Sequence, residues 1–189
     1  MAYVTPGTVA AGDVATAAAW NVLTNDVIDV DSRITANRLS QVNVVSTTLT
    51  TSVSTTSAAF VDISGITVSI TPSAITSKIH VFLTVAVGHS TGADYGLRLV
   101  RNSTAIGVGT GGSSNNGFVI FPGEMYTTTG TSMHMVSFSF LDSPASTSAT
   151  TYKLQGGIAA GSGTLQFNRR VNDANYGGCS TIIVKEVLV

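Results

Sequence analysis

Charge is the scarcest property of this sequence. Charged residues make up 10% of the 189 residues, with nine Lys and Arg against ten Asp and Glu, whereas an average soluble domain has about 25%. Binding of nucleic acid or anionic lipid needs a clustered basic face. A net charge of −1 does not favour such a face, so we expect neither partner. We therefore expect a surface of Ser, Thr, Asn and Gly, which suits a protein that packs among copies of itself, because unpaired buried charge is costly.

Cysteine and long apolar runs are also scarce. The single cysteine, Cys179, excludes an internal disulfide and a cysteine-based metal cluster. The mean hydropathy is +0.35, yet no run approaches the ~18 apolar residues of a membrane helix, and the N-terminus lacks the pattern of a secretory signal. The apolar residues therefore indicate strands, and we expect no membrane insertion.

Motifs for catalysis are missing as well. Residues 107–112 match the glycine pattern of nucleotide-binding folds, but residues 113–117 favour a loop where that fold needs a helix. His80, His89 and His134 are not at metal-ligand spacing, and no Gly-x-Ser-x-Gly motif is present. Single acidic residues could still meet in space as a glycosidase pair. We expect no enzyme activity, no metal and no cofactor.

The first 38 residues predict an arm followed by a helix. Residues 1–13 contain Pro and Gly without a helical period, which predicts an extended docking arm. Residues 14–38 predict a helical stem, because apolar residues recur at alternating spacings of three and four, as in a heptad repeat. These stem residues are Trp20, Leu23, Val27, Val30 and Ile34. So short a helix is marginal alone. Its β-branched seam favours a trimeric coiled coil, and the alternative is one amphipathic helix lying on the following domain.

Residues 40–189 predict a domain made of strands. In the clearest strand, Lys78–Val87, five aliphatic side chains alternate with a second face. About ten such strands, joined by turns rich in Gly, Ser, Asn and Asp, indicate a sandwich or jelly roll. The last strand, Thr181–Val189, is apolar on both faces, so it should be central or covered by a neighbouring subunit. The predicted fold is mainly β: a jelly-roll-like antiparallel β-sandwich preceded by an arm and a short N-terminal helix.

Two parts of the sequence resemble virion proteins of tailed bacteriophages. In residues 5–27, a Gly-Asp pair is followed by an Ala-rich turn and an Asn-containing helix, as in fibre and minor structural proteins. The second part is similar to phage β-sandwich domains of the C1q/TNF-like kind, which end in a Ser-Thr-apolar-Glu strand. It comprises residues 77–83, 97–104, 150–155 and 180–187. The resemblance implies a homotrimer on the surface of the virion, on its tail or its capsid, docked on other virion proteins through the arm, with no catalytic residue.

The leading hypothesis is a tail fibre or tail-tip adsorption protein whose loops bind a host surface glycan, with avidity from several subunits. Aromatic faces and hydrogen-bonding groups in three loops are suited to sugars. The candidates are Tyr95, Asn115, Asn116, Arg169, Asn172, Asp173, Asn175 and Tyr176. For each, the alternative is a solvated turn. The rival hypothesis is a capsid cement or head-decoration trimer (a head fibre) that bridges capsomers, and a third class is a soluble lectin-like or enzymatic host protein.

Overall fold

The chain divides into two compact units, Met1–Ser40 and Gln41–Val189. The computed structural model describes residues 21, 25–30, 43–90, 94–109, 133–160 and 163–189. In the first unit, residues 21 and 25–30 are helical. The predicted arm and the stem residues Trp20, Leu23 and Ile34 lie outside the described residues. None of the helical residues described belongs to a helix long and apolar enough to cross a membrane.

The described part of the second unit contains ten strands in two antiparallel sheets. In chain order they are β1 (Val44–Leu49), β2 (Val53–Thr55), β3 (Val61–Ile70), β4 (Lys78–His89), β5 (Asp94–Arg101), β6 (Thr104–Ile106), β7 (Met133–Asp142), β8 (Thr150–Ala160), β9 (Leu165–Phe167) and β10 (Ser180–Val187). The predicted fold class, a mainly β, jelly-roll-like antiparallel sandwich, is confirmed. The short strand β2 was not predicted.

Sheet A is built around β4. Its strand order is β1-β10-β4-β9-β2, and β7 pairs with β4 as well. Because β7 accompanies β4 over residues 79–88, β10 and β9 follow one another along the opposite edge of β4. The last strand thus lies between β1 and β4, which confirms that it is central.

Sheet B has the order β3-β8-β5-β6 and contains a bulge. The pairing of β3 with β8 shifts between Asp62 and Thr67, and Gly65 within the bulge has a φ of +83°. A Cβ on Gly65 would lie 2.6 Å from the Cδ1 atom of Leu49. Glycine is therefore required there by both the backbone conformation and the space.

The core lies between the two sheets, and strand alternation decides which side chains enter it. Along β4, the residues Ile79, Val81, Leu83, Val85 and Val87 are at most 1% exposed. Burying each such side chain stabilises the fold by about 1.5–3 kcal/mol. The intervening residues of β4 point to the outer face of sheet A, as the sequence predicts.

An ion pair with a buried carboxylate joins the two sheets. Asp142, at the end of β7, accepts two hydrogen bonds from one Arg101 nitrogen of β5, at 2.8 and 2.9 Å. It also accepts a hydrogen bond of 2.7 Å from the Tyr152 hydroxyl of β8. Burial, together with this hydrogen bond to a carboxylate, raises the pKa of Tyr152 above its ordinary value. Three strands from both sheets therefore meet at one carboxylate.

A second buried carboxylate fixes the connection before β4. Glu186 of β10 is fully buried and accepts hydrogen bonds from the Ser73 amide at 2.6 Å and the Ser73 hydroxyl at 2.7 Å. Burial raises the pKa of Glu186, but the hydrogen bonds to its ionised form outweigh burial, and the net pKa is lowered. The loop thus depends on an ionised Glu186.

Candidate functional site

The candidate site is the loop between β9 and β10, residues 168–179. Its two ends are held together by an antiparallel bridge between Arg169 and Gly177. It begins at Asn168, whose φ of +60° lies in the left-handed region. Asn tolerates this conformation better than most residues, since its short polar side chain hydrogen-bonds locally. The chain therefore turns sharply as it leaves β9.

The Asn168 side chain anchors this loop to the sandwich. Its Nδ2 atom donates to the carbonyl oxygens of Leu49 at 2.8 Å and Thr51 at 3.0 Å. Its Oδ1 atom accepts a hydrogen bond of 2.6 Å from the Ser180 hydroxyl, and its amide donates to the Ala86 carbonyl at 2.9 Å. Asn168 is only 2% exposed. Both edges of the loop base are thereby fixed by hydrogen bonds that are shielded from water.

On this base, the loop gathers a group of polar and aromatic side chains that we call the Tyr176 cluster: Arg170, Asp173, Asn175 and Tyr176. The Arg170 guanidinium lies 4.3 Å from the centre of the Tyr176 ring, a cation–π distance. It also forms a 3.4 Å ion pair with Asp173, and Asp173 accepts a 2.8 Å hydrogen bond from the Asn175 amide. The Tyr176 side chain is 57% exposed. The cluster thus presents an aromatic ring held beside hydrogen-bonding groups.

Five of the predicted binding residues fall in this loop. Arg169 and Asp173 are partly buried, whereas Asn172, Asn175 and Tyr176 are exposed. Arg170, which lies over the Tyr176 ring, is not among the predicted binding residues. Neither is Asn168, which anchors the loop. Its anchoring role had no signal in the sequence, because its partners are more than a hundred residues away for two of its hydrogen bonds.

The remaining binding candidates do not join the cluster. Tyr95 is 3% exposed, with its ring centre 5.2 Å from that of His89. The prediction that Tyr95 faces a surface ligand is therefore wrong. Tyr95 shares its strand parity with the buried Leu97, so β-strand alternation turns its ring into the sandwich. Asn115 and Asn116 lie outside the described residues.

Three polar side chains whose proximity the sequence did not reveal lie near the end of β4: His89, Tyr95 and His134. The Nε2 atoms of His89 and His134 and the Tyr95 hydroxyl are buried without a hydrogen-bond partner. Burial and the nearby His89 lower the pKa of His134, and burial raises the pKa of Tyr95. Across the part of the chain that is described, no three His, Cys, Asp or Glu side chains gather as metal ligands would.

Of the five stem residues, two are described. Val27 and Val30 lie in the helical residues 25–30 and are 67% and 51% exposed. The intervening Ile28 is 60% exposed. The helical segment therefore displays apolar side chains within the single chain.

Comparison with known proteins concerns the fold alone. No protein-family model matches the sequence, and no curated protein matches it. One similar solved structure is the infectious bursal disease virus VP2 subviral particle, with 19% identity over 78% of this chain and 37% of that chain and a TM-score of 0.36. Another is the infectious bursal disease virus Gx strain, with 19% identity over 76% of this chain and 38% of that chain and a TM-score of 0.33. This chain spans less than two fifths of either protein.

Proposed function

We propose that this chain is a non-catalytic structural protein of a bacteriophage particle, a homotrimer that acts as a tail fibre or tail-tip adsorption protein. The observation that carries the proposal is the exposed Tyr176 ring, held by Arg170 on a loop with a rigid base. The sequence resemblance to phage virion proteins supports the location on a particle. The ligand class is a glycan of the host surface.

The Tyr176 cluster has the chemistry that sugar binding requires. An aromatic ring offers an apolar face against which the C–H face of a sugar packs, and its hydroxyl is a polar group at the rim. Asp173 supplies carboxylate oxygens that accept from sugar hydroxyls, while Arg170 and the side-chain amide of Asn175 donate to them. Because Arg170 and Asp173 already hold one another, little side-chain entropy is lost when a ligand arrives.

A single shallow site of this kind binds weakly, so the proposal needs several copies. The exposed Val27 and Val30 of the helical segment support a stem in which helices from three chains pack together. Three linked sites raise the effective concentration of each site for the same surface, and the avidity then exceeds the affinity of one site by orders of magnitude. The N-terminal arm would dock the trimer on the particle.

The adsorption function is tested by binding of the full-length protein to sensors coated with purified bacterial lipopolysaccharides and capsular polysaccharides, read by biolayer interferometry. We expect binding to at least one coat, and Tyr176→Ala to weaken it at least about tenfold, since the stacking face is lost. The control is Ile75→Ala, because Ile75 is 66% exposed but lies in another loop. Wild-type binding by Tyr176→Ala, or equal losses in both variants, would contradict the assignment of the site.

The second candidate function is a capsid cement or head-decoration trimer. The charge-poor surface favours it, because a cement protein works by burying interface between neighbouring subunits and gains nothing from charge. Antibody labelling of intact particles separates the two functions. Label at the tail supports adsorption, and hundreds of copies on the head support decoration.

A further inference from the structure

Two histidines lie side by side at one end of the interior of the sandwich. His134 of β7 pairs directly with Val87 of β4, and Val87 is fully buried, so His134 shares the inward face of the sheet. His89 lies two residues beyond Val87 in β4 and therefore also faces inward. This register makes His89 and His134 diagonal neighbours, whose side chains are within reach of one another.

The backbone sets the tautomer of His89. Its Nδ1 atom lies 3.0 Å from the Ser90 carbonyl oxygen, and because a carbonyl oxygen only accepts hydrogen bonds, Nδ1 carries the proton of the neutral ring. The Nε2 atom is then a lone pair, and it is buried without a hydrogen-bond partner. A second proton on this ring must go to Nε2, where no described residue accepts it. Protonation of His89 therefore creates a buried cation with an unsatisfied N–H group.

Protonation of His134 meets the same difficulty. Its Nε2 atom is also buried without a hydrogen-bond partner, and an imidazolium ring carries protons on both nitrogens. Burial, and after it the charge of the nearby His89, lowers the pKa of His134 below its ordinary value. A proton on either ring therefore makes a proton on the other more costly.

The described side chains at this end of the interior cannot balance a positive charge. Tyr95 faces His89 from β5, with the ring centres 5.2 Å apart, and burial raises the pKa of Tyr95, so that its hydroxyl stays neutral. The facing positions of β8 and β9 are apolar, because Ile158 pairs with Tyr95 and Leu165 with His89. Arg169, just beyond β9, is itself a cation.

The inward carboxylates of the sandwich lie at its other end. Asp142 and Glu186 both pair with Ile79, and Asp142 is already bonded to Arg101. Ile79 and His89 are separated by about ten residue steps of about 3.3 Å along β4, or roughly 33 Å. That is several times the screening length of about 8 Å at physiological ionic strength. These carboxylates therefore do not compensate a charge on the histidines.

The histidines lie where the short strand β9 joins sheet A. Strand β9 pairs with β4 over residues 87–89, which include His89. Ser90, whose carbonyl holds the His89 ring, also clamps the residue before β9. Its amide donates to the Thr164 carbonyl at 3.0 Å, and its hydroxyl accepts from the Thr164 amide at 2.7 Å. A cation at His89 therefore acts directly on the attachment of β9.

Both ends of the β9–β10 loop rest on the same region. At its start, the Asn168 amide donates to the Ala86 carbonyl at 2.9 Å. Near its end, a Cβ on Gly178 would lie 2.8 Å from the Ala86 Cβ and 3.2 Å from the Met133 Cε. Ala86 precedes the segment of β4 that holds β9, and Met133 precedes His134 in β7. A displacement of the histidines therefore reaches the base of the loop that carries the Tyr176 cluster.

We propose that His89 and His134 form a pH-sensitive switch, whose protonation loosens β9 and the base of the β9–β10 loop. The loop is held rigidly at neutral pH and is released in mildly acidic solution. The switch does not depend on whether the loop binds a glycan.

The direction of the pH effect follows from His134. Its pKa is lowered from the ordinary 6.5, so the folded state binds this proton less readily than the unfolded chain does. The stabilising effect of the neutral ring is therefore complete above pH 6.5 and is lost as the pH falls through the folded-state pKa.

The test measures hydrogen–deuterium exchange of the full-length chain at about pH 7.5 and about pH 5.5, with rates corrected for the intrinsic effect of pH. Ordinary carboxylates stay ionised over this range, so histidines are the side chains that change charge. We expect amide protection in residues 85–89 and 165–168 to fall at least about tenfold, because a buried N–H group without an acceptor costs at least that much. Protection in residues 67–70 and 150–153, which pair in sheet B, should change less than about twofold.

The variant His89→Asn with His134→Gln removes both titrating rings. The asparagine amide can still donate to the Ser90 carbonyl. We expect protection in this variant to be the same at both pH values, within about twofold. The matched control is His80→Gln, because His80 also lies in β4 but on the outer face, with a ring nitrogen 2.7 Å from the Ser139 hydroxyl. This control should keep the full pH response of the wild type.

Several results would overturn the inference. Unchanged exchange of the wild type at the lower pH would show that the histidines do not control β9. A full response in the double variant would assign the effect to other groups, and so would its loss in Asp94→Asn, since Asp94 precedes Tyr95 in β5. An equal loss of protection in every strand would indicate global unfolding instead of a local switch.

Folding of the variants is checked by far-UV circular dichroism. If the double variant does not fold, His134→Gln alone replaces it, because His134 is partly exposed and tolerates substitution better. We expect the fall in protection at the lower pH to shrink at least about threefold in this variant. A response as large as that of the wild type would overturn the inference as well.

Discussion

Replacing Asn168 should destabilise the protein far more than replacing an asparagine of the same backbone conformation elsewhere. The Asn168→Ala change removes three side-chain hydrogen bonds, to Leu49, Thr51 and Ser180. Each contributes about 1 kcal/mol, and the partners left behind are shielded from water. Alanine at a φ of +60° adds about 1 kcal/mol of backbone strain. We expect the free energy of unfolding to fall by about 3–5 kcal/mol.

Asn102 provides the matched control. It also has a left-handed backbone, with a φ of +53°, but it is exposed and its side chain accepts one hydrogen bond, from the Thr151 amide at 2.9 Å. Water can replace that bond, so Asn102→Ala should cost about 1–2 kcal/mol. The glycine variants remove the strain from both sites, and Asn168→Gly should still cost about 2–4 kcal/mol.

The assay is urea unfolding followed by far-UV circular dichroism, with free energies from linear extrapolation. Equal losses for Asn168→Ala and Asn102→Ala would refute the reasoning, because burial of the hydrogen bonds would then make no difference. An Asn168→Gly variant as stable as the wild type would also refute the reasoning, since the hydrogen bonds would then contribute nothing and only the backbone strain of alanine would matter. In either case the loop base would not be the rigid support that the Tyr176 cluster needs.

Two further predictions concern the buried carboxylates. The pKa of Glu186 is lowered from its ordinary 4.5, so its stabilising effect is complete above pH 4.5 and is lost as the pH falls through the folded-state pKa. Between pH 6 and pH 3, the urea midpoint of Glu186→Gln should therefore fall less steeply than that of the wild type. Parallel plots of midpoint against pH for the two proteins would contradict this. Asp142→Ala should cost about 3–5 kcal/mol in urea unfolding, because it leaves the buried Tyr152 hydroxyl without an acceptor and leaves Arg101 with only the Ser143 carbonyl at 3.3 Å. Its control, Asp62→Ala, breaks the more exposed pair with Lys153 and should cost less than about 1 kcal/mol.

The sequence predicted the strands whose signal is local. Alternation along β4 gave the inward and outward faces of that strand, because period-two patterning is a property of neighbouring residues. The same alternation places Tyr95 inside, since it shares parity with the buried Leu97 and Leu99, although it directly follows a loop. The three-residue β2 was missed because its one apolar residue, Val53, lies among Ser and Thr residues that are typical of turns.

The neighbours of Phe82 and the anchor of the β9–β10 loop depend on pairing between distant parts of the chain. Phe82 lies beside Ile183 and Ser139 only because of the registers of β10 and β7, and a one-residue shift in either would turn one partner to the other face. The anchoring role of Asn168 likewise depends on its hydrogen bonds to the carbonyls of Leu49 and Thr51. No local pattern encodes such registers, so the sequence predicted the strands without predicting which residues of different strands are neighbours.

The scarcity of charge gives four carboxylates definite structural roles. With only ten acidic residues in the chain, the structure uses Asp142 and Glu186 inside the fold, Asp62 in the ion pair with Lys153 on sheet B and Asp173 in the Tyr176 cluster. The outward positions of β1, β10, β4 and β7 include no carboxylate. Hydroxyls that pair with one another occupy several of these positions instead, so hydrogen bonds between neutral groups rather than ion pairs satisfy this face of the sheet.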